Sequence, residues 1–123
     1  MSNLSLISVV DDDASVRESL RCLIRSVGFA VEIFASAEEF LKSDHLHKTR
    51  CLILDVRMPG MNGLELQRRL AAGPHKIPVI FITAHGDAAA RSQALKDGAV
   101  DYLFKPFREE ALLDAIHAAL NSS

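Results

Sequence analysis

The sequence is poor in cysteine, carries no basic excess and has no long apolar run, and each absence removes a class of protein. Cys22 and Cys51 are the only cysteines. They form neither a CxxC pair nor a Cys/His spacing, so no disulfide framework and no zinc site is indicated. Each lies in an element expected to be buried, where cysteine packs as a small hydrophobe. The formal net charge is −2. A nucleic-acid-binding domain carries a clustered basic surplus, so direct DNA contact by this chain is not expected. Apolar runs reach only about five residues, far short of the roughly 20 that span a bilayer. Met1-Ser2-Asn3-Leu4-Ser5 has neither the basic stretch nor the apolar segment of a secretory signal, and a reducing cytoplasm is the expected compartment. No repeat, linker or low-complexity tract appears, and there is no GxxxxGK[ST] loop for a nucleotide. The five histidines, His45, His47, His75, His85 and His117, are scattered. His45-x-His47 falls in a polar loop and is too little for a metal site.

What is present is an ordinary globular composition: 49% hydrophobic and 24% charged residues in a chain of 123. That length suits one core, so residues 1–123 are read as one domain. Leu6-Ile7-Ser8-Val9-Val10 reads as a strand, cut short by Asp11-Asp12-Asp13. Val16, Leu20, Leu23, Ile24 and Val27 then recur at helical spacing, with Gly28 as a C-terminal cap. Val31–Phe34 is a second strand, and Ser36 is placed to cap a short helix containing Phe40 and Leu41. Cys51–Leu54 is a third strand closed by Asp55, followed by a loop with Pro59, Gly60, Asn62 and Gly63. Leu66 and Leu70 mark a helix. Val79–Ile82 is a fourth strand ending at Thr83, and Ala88–Lys96 is an alanine-rich helix. Tyr102–Phe104 is a fifth strand ending at Lys105-Pro106, and Leu112, Leu113, Ile116 and Leu120 mark the last helix.

Strands alternating with helices predict an α/β fold with a doubly wound, five-stranded parallel sheet. Strands one, three and four are almost wholly apolar, as central strands covered on both faces should be. Strand two carries Glu32 and strand five is short, both features of edges. Right-handed crossovers then favour the order 2-1-3-4-5.

The conspicuous polar residues follow the carboxyl ends of strands: Asp11 and Asp12, Asp55, Thr83 and Lys105. In open α/β sheets ligands bind beyond those ends, where the strand order reverses, here between strands one and three. Asp11, Asp12 and Asp55 would gather three negative charges, of which Lys105 offsets one. Two like charges 4 Å apart repel by about 1 kcal/mol in water and about 4 kcal/mol at intermediate dielectric. Such a cluster calls for a proton or a cation. Carboxylates with waters suit Mg²⁺, which takes one or two carboxylates plus phosphate oxygens. Taken singly, each residue has a plainer use: Asp13 as a helix N-cap, Thr83 as another, Lys105 as a solvated charge. Four polar strand ends at one edge of the sheet argue for a shared site.

On these residues the chain resembles the receiver domain of bacterial two-component response regulators, a CheY-like fold whose known strand order adds to the argument for 2-1-3-4-5. The matching motifs are Val9-Val10-Asp11-Asp12-Asp13, Leu54–Gly63 with Asp55 and Pro59-Gly60, Phe81-Ile82-Thr83-Ala84-His85, and Asp101–Phe107 with Lys105-Pro106. They cover essentially the whole chain. Thr83–Asp87 and Lys105-Pro106-Phe107 are most similar to the NarL/FixJ (LuxR-type) subfamily, whose members usually carry a helix-turn-helix output domain after the receiver. This sequence ends at Ser123 without one, so the expectation is either a span of a longer transcription regulator or a stand-alone phosphorelay receiver.

The resemblance implies the following roles. Asp55 is the phosphoacceptor, with a sensor histidine kinase as donor. Asp12 and Asp55 bind Mg²⁺ through side chains, the backbone carbonyl of Arg57 adds a ligand, and Asp11 acts largely through a metal-bound water. Thr83 hydrogen-bonds the phosphoryl group and Lys105 pairs with it. Tyr102 holds the switch-aromatic position, and the Lys105–Pro106 peptide is cis. Such a domain is no enzyme beyond its own phosphorylation and dephosphorylation. Phosphorylation is expected to draw Thr83 in, let Tyr102 swing inward, and drive homodimerisation through helix four and strand five. Arg57 and His85 stand at positions whose roles the resemblance leaves open, and Phe104 reads as core or edge packing. A Mg²⁺-dependent phosphatase would need Asp-x-Asp, which Asp55-Val56-Arg57 lacks. A flavin site would need a Gly-rich loop where Asp11-Asp12-Asp13 would repel phosphate.

Overall fold

The computed structural model describes residues 4–74, 76–84 and 88–121. Its elements run β1 (Leu6–Val10), α1 (Ala14–Ser26), β2 (Ala30–Phe34), α2 (Ala37–Lys42), a single 3₁₀ turn (Leu46–Lys48) and β3 (Thr49–Asp55). There follow α3 (Gly63–Ala72), β4 (Val79–Thr83), α4 (Ala88–Lys96), β5 (Asp101–Phe104) and α5 (Glu109–Asn121). The five strands are parallel and lie in the order β2-β1-β3-β4-β5, as the sequence predicted.

Successive strand residues face opposite layers, and each layer is built around an apolar cluster. Ile7, Val9, Ile53, Ile80 and Ile82 pack with Leu20 and Ile24 of α1 and Leu112 and Ile116 of α5. Val10, Leu52, Leu54 and Phe81 pack on the other side with Phe40 of α2, Leu66 and Leu70 of α3, and Ala90 and Ala94 of α4. Each large aliphatic side chain so buried contributes about 1.5–3 kcal/mol. The register pairs Val10 with Leu54, Asp55 with Ile82 and Thr83 with Phe104. The carboxyl ends of the four strands that carry the polar residues therefore meet on one edge.

Caps fall where the sequence placed them. Asp13 accepts from the amides of Ser15 and Val16 at the start of α1, Ser36 accepts from Glu39 at the start of α2, and Gly28 follows α1 at φ +98°. Asn62 and Glu65 form a reciprocal capping box on α3. Gly63 has no room for a side chain: a Cβ there would lie 2.3 Å from the carbonyl oxygen of Asp55. The Lys105–Pro106 peptide is cis.

Two expectations need correction. Cys22 is exposed, because it stands two residues from both Leu20 and Ile24, about 200° around the helix from the stripe they form. Cys51 is buried as expected, and burial pushes its thiol up to about 12. The polar stretch holding His45 and His47 is partly helical rather than a plain loop. The Tyr102 ring is buried at 4% exposure, 5.9 Å from Phe81 and 5.5 Å from Phe104. Phe104 itself is half-exposed on the edge strand. Among the described residues no helix is long and apolar enough to cross a membrane.

Candidate functional site

Asp11 is the fixed point of the site. Its amide extends the ladder between β1 and β2 by donating to the Phe34 carbonyl at 3.1 Å. Its own carbonyl accepts from Arg17 Nη1 at 2.8 Å. The side chain is fully buried and each oxygen has a donor: Oδ1 takes the Asp13 amide at 2.9 Å, Oδ2 takes Lys105 Nζ at 2.9 Å. Asp12, between two residues so held, is exposed.

Asp55 closes β3 and is 6% exposed. Its Oδ1 accepts the Arg57 amide at 3.3 Å, and its Oδ2 lies 3.7 Å from Lys105 Nζ. The loop that follows is closed at its base by Gly63 N–H donating to the Val56 carbonyl at 2.9 Å. Lys105 is delivered from β5, its amide donating to the Thr83 carbonyl at 2.7 Å. One main-chain hydrogen bond thus ties the ends of β4 and β5 together, with Thr83 itself buried.

Carboxylate oxygens of Asp11, Asp12 and Asp55 all lie within 4.8 Å of one another. One ammonium faces three carboxylates. Burial, and then the negative charge of Asp11, push the Asp55 carboxyl up from 3.8 to about 6, although Lys105 and the Arg57 amide pull the other way. Burial would lower Lys105, but its hydrogen bond to Asp11 and the charges of Asp11, Asp55 and Asp13 outweigh that and raise it. The cluster is short of positive charge, and its donors are all oxygen. A hard divalent cation completed by water fits such a set. With both oxygens engaged, Asp11 suits a contribution through water, whereas Asp12 and Asp55 suit direct ligation.

The structure therefore brings Asp11, Asp12, Asp55 and Lys105 together, with Thr83 at the neighbouring strand end. Tyr102 lies away from the carboxylates, packed on Phe81. The Arg57 side chain is exposed, and His85 lies outside the described residues. Two contributors were missed. Arg17 reads as one more charge on an amphipathic helix, yet it braces the Asp11 carbonyl. Glu38 reads as an acid in the first turn of α2, yet its carboxylate crosses to the loop after Asp55 and accepts the Met61 amide at 3.0 Å. A contact across 23 residues leaves no local pattern to read.

Residues 7–117 match the family model described as the response regulator receiver domain. The response regulator protein TodT of Pseudomonas putida F1 is 53% identical over 116 residues, covering 94% of this chain and 51% of TodT. The transcriptional regulatory protein FixJ of Bradyrhizobium diazoefficiens is 40% identical over 123 residues, covering all of this chain and 60% of FixJ. The crystal structure described as FixJ-N superposes with a TM-score of 0.87 at 39% identity, covering 100% of this chain and 98% of that one. The chain thus spans just over half the length of these two curated relatives.

Proposed function

The chain belongs to the family of response regulator receiver domains, and on that premise we propose that Asp55 accepts a phosphoryl group from the phosphohistidine of a sensor kinase, with Mg²⁺ required. A carboxylate oxygen of Asp55 attacks phosphorus, the new P–O bond forms as the P–N bond to the donor imidazole breaks, and the imidazole takes a proton from solvent. The product is an acyl phosphate on Asp55. Bound Mg²⁺ would neutralise phosphoryl charge and favour in-line approach. The residues suited to hold it are Asp12 and Asp55 through their side chains and Arg57 through its carbonyl, with Asp11 acting through a water. Lys105 pairs with the transferred group, and the Thr83 hydroxyl donates a hydrogen bond to it.

The observation that carries this reading is the close packing of three carboxylates with Lys105 against two of them, Asp11 and Asp55, a charge arrangement that a cation and a phosphoryl group would complete. It is tested by treating the protein with acetyl phosphate and measuring intact mass. The expected result is a gain of one phosphoryl, absent with EDTA and absent in Asp55→Asn. A gain that survives either condition rules out Asp55 as the metal-dependent acceptor.

For output we infer control of transcription through a DNA-binding part outside this span, in keeping with the names of its longer relatives. Phosphorylation would drive pairing of two copies through α4 and β5, where Phe104 offers an exposed ring. Thr83 and Tyr102 are the switch residues in this reading: the Thr83 carbonyl holds the Lys105 amide, and the Tyr102 ring packs on Phe81 between the two strands. Sedimentation after phosphorylation should show a dimer, and a protein that stays monomeric at high concentration refutes the pairing.

A further inference from the structure

The loop between β3 and α3, residues 56–62, follows Asp55 and carries the Arg57 carbonyl. Both of its ends are pinned locally. The Arg57 amide meets Asp55 Oδ1 at 3.3 Å, Gly63 N–H closes on Val56 at 2.9 Å, and Asn62 exchanges hydrogen bonds with Glu65 at 2.9 and 3.3 Å. The tip is held from elsewhere, by Glu38 Oε2 accepting the Met61 amide at 3.0 Å. Gly60, at φ +76°, lets the chain turn beneath that carboxylate, and a Cβ on Gly60 would lie 2.8 Å from the same oxygen. The fit is close enough to define where the tip sits.

Glu38 is not needed to start its own helix. Ser36 accepts the Glu39 amide at 3.1 Å, and Glu39 turns back to accept the Ala35 amide at 2.8 Å. Two adjacent glutamates therefore divide the work, one capping α2 and the other reaching the loop. Glu38 is exposed, so water could replace it as a partner for Met61. What water could not do is fix the tip against α2, which is seated in the core by Ala37 and Phe40.

We infer that Glu38 is a positioning residue: by holding the Met61 amide it sets the β3–α3 loop, and with it the Arg57 carbonyl, in the place a divalent cation requires. The inference rests on the metal-assisted phosphoacceptor reading and adds to it a residue more than 15 positions away in sequence that touches neither metal nor phosphoryl group.

The test is Mg²⁺ titration by calorimetry together with amide hydrogen exchange over residues 58–63, in the parent, Glu38→Ala and Glu38→Gln. Glu38→Ala should bind Mg²⁺ about fivefold more weakly, somewhat less than the loss typical of groups that touch a metal ligand directly, and its Met61 amide should exchange faster. Glu38→Gln keeps an oxygen that can accept from Met61 but has lost the charge. It should bind Mg²⁺ within about twofold of the parent, because the role is geometric. If Glu38→Gln is as weak as Glu38→Ala, the effect is a long-range field and the inference fails. It also fails if Glu38→Ala binds Mg²⁺ as the parent does, whatever its exchange rate. A parent that binds Mg²⁺ but never gains a phosphoryl sinks the phosphoacceptor reading while the Mg²⁺ comparison still decides the role of Glu38. A parent that binds no Mg²⁺ removes both.

Discussion

The two ends of the sheet are built on opposite principles. At the amino end the structure has a cavity of about 430 Å³ lined by Gln67 and Leu70 of α3, Val79 of β4, Asp97 and Leu120 among others, against about 360 Å³ for the one beside Lys105, Pro106 and Phe107. Charges of both signs stand around it, and the buried polar groups there are neutral: Ser8 meets Thr49 at 2.7 Å, and Gln67 Nε2 donates to the Ala94 carbonyl at 3.0 Å while its Oε1 has no partner among the described residues. At the carboxyl end, carboxylates crowd together with too little positive charge between them. Size alone would direct attention to the amino end. Unbalanced charge, which the fold maintains at a cost, is the better guide to where chemistry occurs.

The sharpest way to break this contrast is to remove one cation from each end. Lys105→Met leaves the buried Asp11 carboxylate without its ion pair and should cost about 2–3 kcal/mol in urea denaturation without metal. It should also slow phosphoryl uptake by about a hundredfold, the loss typical of removing a preorganised group that meets developing charge. Lys76→Ala at the amino end should change neither quantity measurably. Equal effects at both ends would dissolve the distinction.

Acidity gives a second, smaller test. Asp55 binds its proton more tightly in the folded chain, near 6, than at its ordinary value of 3.8. A raised carboxyl stabilises the fold when protonated, so its contribution is fully present below 3.8 and is lost as pH rises through about 6. Without metal, the parent should lose stability relative to Asp55→Asn across that window, as read from melting temperatures. Mg²⁺ needs the ionised form, so its apparent affinity should fall by up to about tenfold per pH unit below about pH 6. A titration flat from pH 4 to 7 would contradict the assigned proton.

The smallest effect concerns Asp12. Being exposed, it repels its neighbours weakly, so Asp12→Ala should raise metal-free stability by at most about 1 kcal/mol. It should also abolish the rise in melting temperature that saturating Mg²⁺ gives the parent. If that rise persists in the variant, Asp12 is no ligand.

Most of the fold was legible because a parallel sheet covered on both faces writes itself as short apolar runs, and Val79–Ile82 and Cys51–Leu54 can be little else. The site was legible because its charged residues each follow such a run, so once the strands are aligned the side chains must meet. What escaped has a common cause. The exposure of Cys22 depends on helical phase rather than on membership of a helix. Glu38 and Arg17 act on backbone groups from other elements, and a backbone acceptor or donor has no letter in the sequence to mark it.

Gly63 carries a consequence for how this chain can vary. Its α-carbon rests so close to the Asp55 carbonyl that even one methyl group would collide with main chain rather than with a side chain able to rotate away. A saturation library should therefore find position 63 about as intolerant as the reactive aspartate, although glycine there brings no charge, no proton and no ligand. Read from a tolerance map alone, it would be mistaken for part of the chemistry; its contribution is the space it leaves empty.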